Sequence, residues 1–215
     1  MQHLSLEMLA SSLAEQLRCA QEDLCHQIIH SLAHGKPVAP ATLQNLLQIS
    51  QQELKQRLAG LPETEFDQEG NILGWGVTLV PTTHRFQLNG TVLYTWCAFD
   101  TVLFPPSLHM QASIHSTCPV TGQAITFVAT PEGAIRDLTP TSSVVSLFVP
   151  ERRLDCVRAT FCHQSLFFQS EQVASVWLST HPGALILSIE EAALVGSMVA
   201  SRRFIAGQKG SVERS

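Results

Sequence analysis

Apolar residues recur at helical spacing through the first 60 positions. Leu6, Leu9, Leu13 and Leu17 lie on one stripe, and Leu24, Ile28, Ile29 and Leu32 make a second face that stops at Gly35 and Pro37. A third helix is expected over roughly 41–48, carrying Leu43, Leu46 and Leu47 inward. Ser50 and Glu53 have the spacing of a capping box and open a fourth, which places Leu54 and Leu58 inward and ends at Gly60. Ser12 and Glu15 share that spacing but fall inside an apolar run, where a cap has no use. Short helix, tight turn, short helix, then "FDQEGNILGWGVTLV" is the element order of a winged helix-turn-helix.

After Pro81 the period shortens to that of strands. "HRFQLNGTVLYTW" holds Asn89-Gly90 between two β-prone runs, a strong hairpin signal. Further strands are expected over 111–115, 124–129, 144–149 and 165–168, with helices after Cys97, around Asp155 and Val157, and over about 189–204. The pattern predicts an α+β fold: an N-terminal winged-helix-like helical module over 1–80, then a mostly antiparallel sheet core with flanking helices over 81–215. The tail "GQKGSVERS" has the composition of a loose end.

Composition supports an ordinary globular chain, with 45% hydrophobic and 14% charged residues in 215. The start "MQHLSLEMLA" lacks the basic and apolar regions of a leader, and no apolar run reaches the ~20 residues that span a bilayer. A cytoplasmic address away from membranes is therefore expected. Charge argues against nucleic acid. Up to Val80, four basic residues (Arg18, Lys36, Lys55, Arg57) face nine acidic ones, a net of −5 that equals the charge of the whole chain. A phosphate-binding surface needs the opposite sign.

Six cysteines (Cys19, Cys25, Cys97, Cys118, Cys156, Cys162) occur without a CxxC pair, so neither a zinc ribbon nor a thioredoxin motif is present. In a reducing compartment a disulfide framework is not expected. Cys97 stands where the strand "TVLYTW" gives way to the helical "AFDTVLF", which Pro105-Pro106 should terminate. A thiol at a helix start faces unpaired N–H groups that favour thiolate, and Asp100 lies on the same helical face. A buried small residue with a capping aspartate fits the same letters. Cys162, in "ATFCHQSLFF", is read as a strand residue whose neighbour His163 points to the other face and does not form a Cys-His dyad. Cys118, in the turn "STCPVTG", reads as a structural thiol, and Cys19, Cys25 and Cys156 as inert helical cysteines. His26, His30 and His34 share a helical stripe with no completing ligand and read as a solvated face. No GxGxxG, P-loop or GxSxG occurs, so nucleotide cofactors and serine hydrolysis have no support.

The chain resembles the bacterial organomercurial lyases, or alkylmercury lyases. The resemblance rests on "TEFDQEGNILGWGVTL", "LYTWCAFDTVLFP", "STCPVTG", "VVSLFVP" and "FCHQSLFF", in that order; the first ~60 residues match in helical layout, including "HGKPVAPATL". It implies that Cys97 and Cys162 are catalytic thiols that hold mercury, that Asp100 is the third catalytic group and lies close to the metal, and that Cys118 is structural. His163 stands where a family variant carries another cysteine. The implied activity is protonolysis of the carbon–mercury bond of R-Hg+ to R-H and Hg(II). No organic cofactor or resident metal is implied, low-molecular-weight thiols are needed for turnover, and a mercuric reductase is a possible acceptor of Hg(II). Trp96, Phe99, Phe104, Phe161, Phe167 and Phe168 would surround the R group. The alternative is a thiol-based heavy-metal binding or sensing protein without turnover, which only Asp100 separates from the lyase.

Overall fold

A computed structural model describes residues 5–154 and 156–205, with side chains as far as Arg203. Asp155 and the tail "GQKGSVERS" lie outside the described residues. Four helices come first: α1 (Leu6–Gln16), α2 (Glu22–Leu32), α3 (Pro40–Leu47) and α4 (Gln51–Ala59). Their starts follow local chemistry. The Ser5 hydroxyl accepts from the Met8 amide at the head of α1, and the Ser50 hydroxyl accepts from the Glu53 amide at the head of α4. The leucine stripe of α1 is buried through Leu9 and Leu13, that of α2 through Leu24, Ile28, Ile29 and Leu32. Of the α3 leucines only Leu43 is fully buried, while Leu46 is exposed.

The chain then enters an eight-stranded antiparallel sheet. In chain order its strands are β1 (Glu65–Phe66), β2 (Ile72–Trp75), β3 (Val77–Thr78), β4 (His84–Leu88), β5 (Thr91–Thr95), β6 (Ala112–Thr117), β7 (Ala124–Ala129) and β8 (Ile135–Thr139). They are ordered β1-β2-β3-β5-β4-β6-β7-β8, so the wing-like strands and the later ones share one sheet across position 80. Asn89 and Gly90 both take positive φ between β4 and β5, which matches the turn to the right-handed twist of the strands. A smaller sheet, ordered β10-β9-β11, pairs β9 (Val144–Phe148) with β10 (Phe167–Phe168) and β11 (Ala184–Ser188). The remaining helices are α5 (Asp100–Leu108), α6 (Val157–Thr160), α7 (Glu171–Leu178) and α8 (Ile189–Ala200), the last followed by a π-helical turn, Ser201–Ile205. The sequence reading did not anticipate β8, β11 or α7.

Four local expectations are corrected. Pro105 and Pro106 do not end α5, which runs through them to Leu108. Pro106 has no N–H to offer the Val102 carbonyl, and that carbonyl instead faces Gly196 of α8, where an added Cβ would lie 2.8 Å from the oxygen. Cys19 and Cys25 are not free helical cysteines but are joined in a disulfide, because residues 18–21 reverse the chain and the first turn of α2 returns Cys25 to Cys19. The histidine stripe is not a solvated face. His26 and His30 are half-buried with ring centroids 4.1 Å apart; burial, then His30 and His109, pushes His26 down to about 4, and only His34 is exposed. Cys162 lies not on a strand but at the start of a 3-10 turn, Cys162–Gln164, although His163 does point outward to solvent.

Helix α8 is the central post of this architecture, packed against both α1 and α5. Its approach to α5 depends on the missing side chain at Gly196. The substitution Gly196→Ala is expected to lower stability by about 1–3 kcal/mol through overpacking against backbone, read as a lower urea midpoint with an unchanged slope.

Candidate active site

Three polar groups meet inside an otherwise apolar interior. One sulfur each of Cys97 and Cys162 and one carboxylate oxygen of Asp100 all lie within 4.8 Å of one another, and all three residues are buried. Among the described residues this is the one cluster of three or more His, Cys, Asp or Glu side chains placed to hold a metal ion.

Local structure explains how each arrives. Strand β5 delivers Cys97 at its end, and the chain turns through Ala98 and Phe99 into α5, whose first residue is Asp100. The carboxylate folds back to accept from the Cys97 amide at 3.2 Å, and Thr95 Oγ1 donates to the Cys97 carbonyl at 2.9 Å. Cys162 comes from a separate segment, and Ser165 ties the two together. Its carbonyl accepts from the Ala98 amide at 3.1 Å, and its hydroxyl accepts from the Phe99 amide at 3.0 Å. Ser165 in turn donates its amide to the Cys162 carbonyl at 3.1 Å. Behind it, Ser146 of β9 donates its hydroxyl to the Gln164 carbonyl at 2.6 Å and accepts from the Leu166 amide at 3.1 Å. Small serines fully buried at 165 and 146 therefore register the small sheet against the large one.

Burial decides the electrostatics. It pushes the Cys97 thiol above the ordinary thiol range, with the Asp100 charge adding to the rise and the hydrogen bond from Cys162 opposing it. Cys162 stands well above that range, because of its hydrogen bond with Cys97 and then its burial, with charge on Cys97, Asp100 and Glu63 adding to the rise. This corrects the expectation that the helix start would favour a Cys97 thiolate: loss of hydration outweighs the helix end. The Asp100 carboxyl is raised to about 7 by burial, against the Cys97 thiol and amide, the positive charge of Arg203 and the Trp96 amide. Arg203 is itself buried, which lowers it to about 10, and its Nε lies 3.7 Å from Glu22. In the neutral pH range the site thus holds two thiol protons beside a carboxyl that titrates there.

Asp100 opens into a cavity of about 340 Å³ walled by Trp75, Gly76, Trp96, Phe104 and Phe161 and, from the first helices, by Leu17, Arg18 and Cys19. Gly76 has positive φ, and a Cβ there would lie 2.5 Å from the Phe104 ring, so the glycine shapes this wall. The Arg158 guanidinium stacks over the Trp96 ring at 4.9 Å and pairs with Glu65 at 2.6 Å, while the Glu63 carboxylate accepts from the amides of Arg158 and Ala159. Of the six aromatics expected around a substrate, Trp96, Phe104 and Phe161 line the cavity, and Phe99 packs edge-on against Phe161. Phe167 and Phe168 belong to the core instead, against Phe127 and Trp177.

The other candidates stay apart from this cluster. Cys118 is buried in the β6–β7 turn, where its amide donates to the Gln123 carbonyl, and Cys156 is exposed. His163 is exposed, and His84 is buried with Nδ1 2.9 Å from Ser116 Oγ and pushed down to about 4, so neither imidazole activates a thiol. Ser165, Arg203 and Trp75 were missed by the sequence reading. The serine and the tryptophan sit in quoted motifs, but nothing in their spacing distinguishes clamp or wall from core.

Ser165→Ala leaves the buried Phe99 amide without its acceptor and is expected to cost about 1–3 kcal/mol of stability in urea titration. Asp100→Asn tests the burial argument through pH. A carboxyl raised from 3.8 to about 7 costs the native state nothing below its unfolded value; the cost builds as pH rises from there to about 7 and is constant above. At pH 8 the Asn variant is therefore expected to melt roughly 2–8 °C above the unsubstituted protein, and the gap should close towards pH 4.

Comparison with known proteins agrees with this architecture. Residues 6–76 match the family model described as helix-turn-helix domain of alkylmercury lyase, and residues 77–201 match that described as alkylmercury lyase. An alkylmercury lyase of Pseudomonas putida is 39% identical over 175 residues, 81% of this chain and 82% of that protein. One from Staphylococcus epidermidis is 35% identical, covering 85% of this chain and 84% of its own. The crystal structure of the mercury-bound form of MerB2 superposes with a TM-score of 0.76 at 25% identity, over 92% of this chain and 98% of that one. With the two family models together matching residues 6–201, and relatives above 30% identity over most of its length, the chain belongs to the alkylmercury lyase family.

Proposed function

We propose that this protein cleaves the carbon–mercury bond of R-Hg+ by protonolysis, with Cys97 and Cys162 as mercury ligands and Asp100 as proton relay. The observation that carries this reading is the buried cluster of two thiols and a carboxyl at the edge of an aromatic cavity, where burial raises the thiols and takes the carboxyl to about 7. R-Hg+ is a soft cation and thiolate is its matched ligand. A substrate delivered as R-Hg-SR′ exchanges onto Cys97: the Cys97 S–H bond breaks, the S–Hg bond forms, and R′SH leaves with the proton. As Cys162 binds the same mercury, its proton passes to Asp100 and from there to the carbon, whose bond to mercury breaks with the electron pair staying on carbon. R-H departs, Hg(II) remains on the two sulfurs with Asp100 close by, and Asp100 returns to its starting state.

A relay with a pKa near the working pH suits this step, since it both accepts and gives up a proton readily. Trp96, Phe104 and Phe161 give an R group an apolar lodging. The catalytic groups belong to the core over 81–215, and the module over 1–80 contributes Leu17, Arg18 and Cys19 to the cavity wall. No organic cofactor takes part. Low-molecular-weight thiols, or a mercuric reductase, remove Hg(II) by exchange, and the setting is cytoplasmic. Among the described residues no helix is long and apolar enough to cross a membrane.

With excess thiol, the purified protein is expected to release benzene from phenylmercury, measured by gas chromatography. Cys97→Ser and Cys162→Ser should each lower kcat/KM by at least about 100-fold. Asp100→Ala should still take up mercury but release no benzene; unchanged turnover in that variant would remove Asp100 from the mechanism.

A further inference from the structure

The cleavage chemistry leaves one pair of sulfurs unused. Cys19 and Cys25 are bonded to each other, and Cys19 lines the same cavity as Asp100. Exposed Arg18 and Ala20 flank Cys19, while the two sulfur residues themselves are buried, Cys25 completely, so the pair is reached through the cavity that Cys19 lines. The surroundings of the pair are mixed in charge. The Gln21 amide donates to Cys19 Sγ at 3.3 Å and Arg18 and Arg153 line the same cavity, while Glu22 and Asp23 stand in the first turn of α2 beside Cys25 and Glu63 lines the cavity wall. The two Cα atoms are 7.1 Å apart. Disulfides mostly span about 4.4–6.8 Å between Cα atoms, so once reduced this backbone leaves room for an ion between the sulfurs.

We propose that the reduced Cys19/Cys25 pair is a second mercury site on the cavity wall, taking Hg(II) from Cys97 and Cys162 before a soluble thiol removes it. The identity of the metal rests on the lyase reading. Two low-molecular-weight thiols first reduce the disulfide, becoming R′S-SR′ while Cys19 and Cys25 gain the two protons. Transfer is then an exchange without redox change. Two bonds from mercury to Cys97 and Cys162 break, two to Cys19 and Cys25 form, and the two protons move onto Cys97 and Cys162. Each transfer therefore restores the protonated pair that the next cleavage uses.

The test uses the full chain with Cys97→Ser and Cys162→Ser, so that retained mercury cannot be on the catalytic thiols. The variant is reduced with a phosphine, mixed with Hg(II) supplied as its complex with two equivalents of 2-mercaptoethanol, desalted and weighed by native mass spectrometry. One mercury per chain is expected, with two sulfur ligands by X-ray absorption. The same variant kept oxidised should retain at least tenfold less, as should the reduced variant with Cys19→Ser added. The oxidised sample needs no further substitution and so guards against a folding defect, and Cys118 and Cys156 are present in every sample. Equal retention by oxidised and reduced protein, or no retention after reduction, would overturn the proposal. Benzene release by the unsubstituted protein is measured separately; its failure would remove the lyase reading and leave the dithiol result to stand or fall alone.

Discussion

The site depends on one small residue with two bonds. Ser165 accepts the Ala98 amide on its carbonyl and the Phe99 amide on its hydroxyl, and it is itself held from behind by Ser146 bonds to its neighbours on the small sheet. Cys97 and Cys162 belong to segments far apart in the chain, which meet through these bonds and the edge-on packing of Phe99 on Phe161. Fixing the Ala98–Phe99 turn to the chain just after Cys162 places both sulfurs near the first residue of α5. Buried amides tolerate no vacancy, so the penalty for losing either bond enforces the geometry more strongly than the bonds' net gain. The same turn makes Asp100 fold back on the Cys97 amide, so ligand and relay are set by one piece of backbone.

Burial then determines the chemistry available. A thiol at a helix start would ionise in a wetter place, and the resulting thiolate would be a ready ligand but an empty proton store. Here desolvation wins over the helix end, the thiols keep their protons, and the carboxyl rises to about 7 despite the nearby positive charge of Arg203. A soft cation can displace those protons because its bond to sulfur replaces what hydration would have supplied. The groups that bind the metal thereby supply the proton that its departing carbon needs. Arg203 tempers this balance: it keeps the carboxyl from rising further and is itself steadied by Glu22 of α2, so the first helices reach the site through charge as well as through the cavity wall.

Much of this was legible in the chain because the signals were local. The leucine periods of α1 and α2, the Ser50 cap and the Asn89-Gly90 turn each depend on neighbours within a few positions, and each appears where the letters place it. The trio Cys97, Asp100 and Cys162 was legible through motif resemblance, and the coordinates bring those three together. The failures share a cause in long-range context. Pro105-Pro106 stays within a buried helix that α8 packs against, with Gly196 set close to the carbonyl that proline leaves idle. The histidine stripe is half-buried because the end of α5 lies over it, and Cys19 meets Cys25 through a chain reversal that no spacing rule encodes. Strand β8 is too polar to stand out, and Ser165 looks like any serine until the amides it accepts are seen.

The central claim is that both thiols start protonated and that one of their protons ends on carbon. Its most direct test is a proton count in a single turnover at pH 8, with a pH indicator dye and a phenylmercury complex of 2-mercaptoethanol. With Cys97 and Cys162 protonated, one proton goes to benzene and the other to the departing mercaptoethanol, so benzene should form with no net proton uptake from solution. Uptake of one proton per benzene would mean that a thiol was already ionised before substrate arrived, and would contradict the account.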